Sequence, residues 1–108
     1  MALIALQVVG EALNPVAFSA ASGGGDTLHH RDNSFLVVKN GDSGPHTVTL
    51  VTPGTTHGLA IADEAITVAA GNTAYIACSD EVFVNSSDGL VHVTYDGVTS
   101  VTVAHVAL

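Results

Sequence analysis

The stretch Leu90-Val91-His92-Val93-Thr94-Tyr95-Asp96-Gly97-Val98-Thr99-Ser100-Val101-Thr102-Val103-Ala104 decides the fold class. Successive side chains of an extended chain point to opposite faces, so Val91, Val93 and Tyr95 share one side. β-Branched valine and threonine suit a pleated, half-buried surface. Asp96-Gly97 reads as a tight turn, because both residue types tolerate positive φ. The expectation is therefore a hairpin, with residues 90–95 returning as 98–108. The returning strand carries a parity puzzle. Val101 and Val103 share a face, whereas Val106 and Leu108 fall on the other. Either a bulge near Ala104-His105 restores them to the core, or the strand end is buried on both faces.

Working outward, strand-like segments recur over residues 3–9, 14–20, 35–39, 46–52, 65–69 and 73–78, which with the hairpin makes eight strands, with 82–84 a short further piece. Residues 35–39 are apolar on both faces and should be central and covered on both sides. The clusters Asn40-Gly41-Asp42-Ser43-Gly44-Pro45, Pro53-Gly54 and Ala70-Gly71-Asn72 punctuate the strands as turns. Residues 21–33 read as a Gly-rich loop. Its Gly23-Gly24-Gly25 forfeits much backbone entropy on ordering, which suits a segment that is mobile or held by a partner. Residues 58–70 have a faint helical spacing, enough for a single turn. Turn signals every ~8–12 residues between short strands specify an all-β chain, an antiparallel β-sandwich or flattened barrel. Residues 1–108 form one domain on this reading. The inward set is Phe18, Leu36, Val38, Val48, Leu50, Ile66, Val68, Ile76, Phe83, Val91, Val93, Val101 and Val103.

Composition narrows the function. The chain has 108 residues, ten acidic and two basic, for a formal net charge of −8. With Arg31 and Lys39 as its only cations it has no patch for nucleic acid or for an anionic membrane. No apolar run approaches the ~20 residues of a membrane helix. The apolar opening lacks a basic flank and is broken by Gln7, so it reads as a strand and not as a signal peptide. The single cysteine, Cys78, cannot form an internal disulfide, which fits synthesis in a reducing cytoplasm. Charged residues make up 11 % of the chain, against ~25 % in ordinary soluble domains. So sparse a charge suggests a surface partly covered by something else.

The chemistry-bearing residues form no catalytic pattern. His29-His30 lies near Asp26 and Asp32, but adjacent histidines on an extended chain diverge and chelate poorly. Asp26 with His29 and His30 is the best metal set on offer, but surface or partly packed histidines are the preferred reading. The acidic turns lack calcium-loop spacing and use the residues that plain turns use. Cys78 sits in an apolar strand, where a thiol is buried and inert. Nucleophile-elbow and phosphate-loop motifs are missing. The expectation is a protein that is not an enzyme and needs no cofactor and no metal.

Three stretches carry a resemblance. They are Phe35-Leu36-Val37-Val38-Lys39-Asn40-Gly41 leading to His46-Thr47-Val48-Thr49-Leu50; Ile66-Thr67-Val68-Ala69-Ala70-Gly71-Asn72-Thr73; and the stretch from Leu90 to Ala104. Together they resemble small β-rich virion proteins of tailed phages of actinobacteria, over about four-fifths of the chain. The resemblance implies a minor capsid or head decoration protein, made in the host bacterial cytoplasm and placed on the outer capsid surface. Its partner would be the major capsid protein lattice. A neck, tail-terminator or fibre-base protein is the nearest alternative, and a non-viral β-sandwich binding module the next. A homo-oligomer, with a trimer favoured, would suit three-fold shell positions and hide open sheet edges.

Two segments are the expected contact. Residues 1–9 are apolar on both parities, with Ile4, Leu6 and Val8 on one side and Leu3, Ala5 and Val9 on the other. Such a strand either pairs inside its own sandwich or adds to a neighbour's sheet edge. His29, His30 and Arg31 form the one place on an acidic chain able to meet an acidic partner without repulsion. The competing expectation is that the strand completes its own sandwich and the loop is merely mobile.

Overall fold

The computed structural model describes residues 2–8, 17–52, 55–56, 59–60, 63–78, 83–85 and 88–107. The strands are β1 (Ala2–Leu3), β2 (Leu6–Val8), β3 (Ser19–Ala20), β4 (Asp26–His29), β5 (Ser34–Asn40), β6 (His46–Leu50), β7 (Thr55–Thr56), β8 (Leu59–Ala60), β9 (Glu64–Val68), β10 (Thr73–Ala77), β11 (Leu90–Tyr95) and β12 (Val101–Ala107). No described residue lies in an α-helix. Sheet A runs β1-β4-β11-β6-β9 and sheet B runs β10-β5-β12-β2, while β7 and β8 pair with each other. The chain is thus the expected all-β sandwich. The pairs β1–β4 and β2–β12 are parallel, and all other strand pairs are antiparallel.

The core lies between the sheets. Leu36, Val38, Val48, Leu50, Val68, Ile76, Phe83, Val91, Val93, Val101 and Val103 are all buried there, as the alternation indicates, and Ile66 packs against them half-buried. Phe18 is the exception. It packs with Phe35 against a second cluster, Val37, Ala104 and Val106. These residues have the parity opposite to the core set on β5 and β12, so the cluster lies on the outer face of sheet B.

Two sequence expectations fail, and one open choice is decided. The supposed hairpin at Asp96-Gly97 does not form, because β11 belongs to sheet A and β12 to sheet B. The intervening residues 96–100 carry the chain across the sandwich, and Ser100, at φ 56, takes the left-handed turn. Gly97 is small for a different reason: a Cβ there would sit 3.1 Å from Cε1 of His46. No bulge interrupts β12 where it pairs with β5, since its register is continuous from Val101↔Asn40 to Ala107↔Ser34. The strand end is buried on both faces instead, from Val103 to Ala107. Finally, residues 21–33 are not one loop. Their middle is β4, which lies between β1 and β11, with Asp26, Thr27 and Leu28 buried. Of the expected strand at 14–20, residues 14–16 lie outside the described residues and only Ser19–Ala20 pairs as strand.

Candidate interaction surface

The N-terminal segment changes sheets within three residues. Leu3 of β1 stands beside Thr27 of β4, and Leu6 of β2 stands beside His105 of β12. Between them Ile4 donates its N–H to the Thr27 carbonyl at 2.9 Å and buries its side chain in the core, 5 % exposed. One apolar residue at the switch therefore anchors both edge strands. Leu3 and Val8 point out, 52 % and 57 % exposed.

Strands β2 and β3 share one edge of β12, at 105–107 and 102–103. Gln7 spans the gap between them. Its amide donates from Nε2 to the Ala17 carbonyl at 2.7 Å and accepts the Ala17 N–H on Oε1 at 2.9 Å. A side chain here makes the paired hydrogen bonds that a strand backbone would make. A cleft of about 320 Å³ opens beside it, lined by Ile4, Ala5, Gln7, Ala17, Phe18, Ser19 and Val103. That volume is at the small end for ligand pockets, and the Gln7 amide in it is already committed.

The expected contact residues separate accordingly. Leu3, Leu6 and Val8 lie on the two edge strands, Leu6 half-buried. Ile4 belongs to the core. Val9 lies outside the described residues. His29 ends β4 exposed, His30 is half-buried and Arg31 is exposed. Leu3 of β1 lies beside Thr27 of β4, two residues before His29, which pairs with Leu90 of β11. Asp26 is not available to a metal set with His29 and His30. Its buried carboxylate accepts the Tyr95 hydroxyl at 2.7 Å and the Ser22 N–H at 3.2 Å. Burial, together with Asp26, pushes the Tyr95 phenol well up from its ordinary range. Among the described residues no three His, Cys, Asp or Glu side chains are gathered to hold a metal ion. No family model, curated protein or solved structure matches the chain.

The histidines that matter to the fold were not singled out in the sequence. His46 lies between two turns. Its Nε2 is 2.9 Å from Asp42 and its Nδ1 is 3.1 Å from Asp96. Two carboxylates on two ring nitrogens call for two N–H donors, so the imidazolium is the favoured form. The Asp42 hydrogen bond above all raises the His46 pKa, and the same contact lowers that of Asp42. This clamp ties the β5–β6 turn to the β11–β12 connection. Asn40 holds the same end from within: it donates to the Gly44 and Val68 carbonyls at 2.9 and 3.0 Å and accepts the Asp42 N–H at 3.0 Å. His105 is the opposite case. It is fully buried, and among the described residues neither ring nitrogen has a hydrogen-bond partner. Burial, and then the neighbouring His29, lowers its pKa, so it is held neutral. The signal that could have marked it was parity, since His105 falls on the inward side with Val101 and Val103.

Proposed function

We propose that the chain is a structural protein of a phage virion that binds the assembled capsid shell as a decoration or cementing protein. The observation that carries this reading is the pair of edge strands β1 and β2. They end the two sheets and expose Leu3 and Val8, as a strand does that meets a neighbouring subunit. The resemblance of the three stretches above supplies the virion, and the charge-poor composition accords with a lattice component. A cementing protein binds the shell and not the free subunit, so the shell gains RT ln(1 + [L]/Kd) for each occupied site. Many weak contacts then sum over the lattice.

The test uses Leu3→Ser and Val8→Ser. Ile4 is left intact, because removing residues 1–9 would also remove a core side chain. The protein is mixed with purified shells of the phage that carries its gene, and co-sedimentation is measured. Native protein should pellet with shells, and the double variant should fold yet stay in the supernatant. Equal binding by the double variant would move the contact elsewhere. Quantitative mass spectrometry of whole particles separates the alternatives, with hundreds of copies for a decoration protein and about a dozen or fewer for a neck protein. Light scattering on the isolated 10.9 kDa chain tests the proposed trimer.

A further inference from the structure

The two outer faces of the sandwich differ in kind. Sheet A shows Thr47, Thr49, Thr67, Thr94 and His92 outward, a wet polar surface on which Thr47 and Thr67 meet hydroxyl to hydroxyl at 3.3 Å. The strands of sheet B contain no aspartate and no glutamate, although the chain has ten acidic residues. Three of the five aromatic residues, Phe18, Phe35 and Tyr75, lie on its outer side. Tyr75 on edge strand β10 is 71 % exposed, and its ring meets Phe35 edge-to-face with centroids 5.9 Å apart. Lys39, the only formally charged residue in the strands of this sheet, is exposed. Its Nζ stands 4.5 Å over the centre of the Phe18 ring. Among the described residues Lys39 pairs with no carboxylate.

We infer that this face, formed by Phe18, Phe35, Lys39 and Tyr75, is a docking surface for a protein surface that is apolar and carries a carboxylate opposite Lys39. The inference rests on the shell-binding reading and names the face and the partner chemistry. Aromatic residues are enriched, and acidic residues and lysine depleted, at the centres of protein interfaces. Both aromatic contacts are made before any partner arrives. The ordering cost of the Lys39 and Tyr75 side chains is therefore already partly met. The charge asymmetry selects the occupant. On a chain of net −8 this is the sheet face an acidic surface can approach, and the ammonium gains most where docking removes water around it. The face is also continuous with the cleft beside β2, because Phe18 lines both.

The experiment compares shell binding by native protein, Lys39→Glu, Lys39→Gln, Tyr75→Ser and Thr67→Glu, at low and high salt. Thr67→Glu makes the same one-unit change of net charge as Lys39→Gln, but on the outer face of sheet A. The inference expects Lys39→Glu and Tyr75→Ser to weaken binding at least tenfold while Thr67→Glu stays within about twofold. Binding of the native protein should weaken with salt, and that of Lys39→Gln should do so less. If native protein binds and both face variants bind equally well, the face is wrong and the shell reading stands. If native protein binds no shell, the shell reading falls and the proposed partner with it. If native protein instead self-associates in light scattering and Tyr75→Ser abolishes this, the face pairs copies of the chain and the inference is overturned.

Discussion

Replacing His105 with leucine should make the protein more stable. The imidazole lies in β12 between Leu36 of β5 and Leu6 of β2, fully buried, with both nitrogens unpartnered among the described residues. An unsatisfied buried polar group costs about 1–3 kcal/mol, and an apolar replacement of similar volume removes that cost. Leucine differs from the ring in shape, and such swaps lose up to about 1.5 kcal/mol in packing. The net expectation is a gain of about 1 kcal/mol, or roughly 4 °C in Tm for a domain of this size. The pH dependence sharpens the test. The folded His105 has a pKa below its ordinary 6.5. As pH falls below that value the unfolded chain binds the proton first, so native stability is lost on acidification. Leucine removes this loss. Urea titrations followed by circular dichroism should therefore show a larger advantage for His105→Leu near pH 5.5 than near pH 7.5. Both proteins should carry His46→Gln, to silence the opposing titration at the other end. A variant less stable than its parent by more than about 1 kcal/mol at both pH values would refute the reasoning. It would mean that the ring makes hydrogen bonds leucine cannot replace.

The His46 clamp has the opposite slope. Its folded pKa is raised, so its contribution is full below the ordinary 6.5 and is lost as pH rises through the folded value. Asp42 titrates low, so the clamp weakens again in strong acid. His46→Gln should flatten the alkaline side of a stability–pH curve measured by urea titration. Asn40→Ala removes two buried donors and one acceptor and should cost about 2–3 kcal/mol in the same assay, at roughly 1 kcal/mol for each hydrogen bond. Tyr95→Phe leaves the buried Asp26 carboxylate without its hydroxyl partner and should cost about 1.5–3 kcal/mol near neutral pH.

Alternation of β-branched and polar residues was enough to establish an all-β sandwich and most of its core from Leu36 to Val103, but not Ile4, Ala21 or Leu28. That pattern is local, because side-chain parity follows from the pleat alone. It does not say which strand lies beside which. Asp96-Gly97 looks like a hairpin turn in any sequence, yet here the connection passes from one sheet to the other, and Gly97 is shaped by the His46 ring. Strand β4 escaped notice because Asp26-Thr27-Leu28-His29 offers a single aliphatic residue, and its burial comes from β1 and β11 on either side. Parity showed that Phe18 alternates with its neighbours but not that the face it joins is the outer side of sheet B. The apolar N-terminal segment was legible as a contact candidate. That it feeds both sheets, with Ile4 spent on the core, depends on where β4 and β12 lie. The His46 clamp joins residues 42, 46 and 96, and the lone cation over Phe18 joins residues 18 and 39. Such pairings across the sequence exist only once the sheets are stacked, so only the tertiary structure decided them.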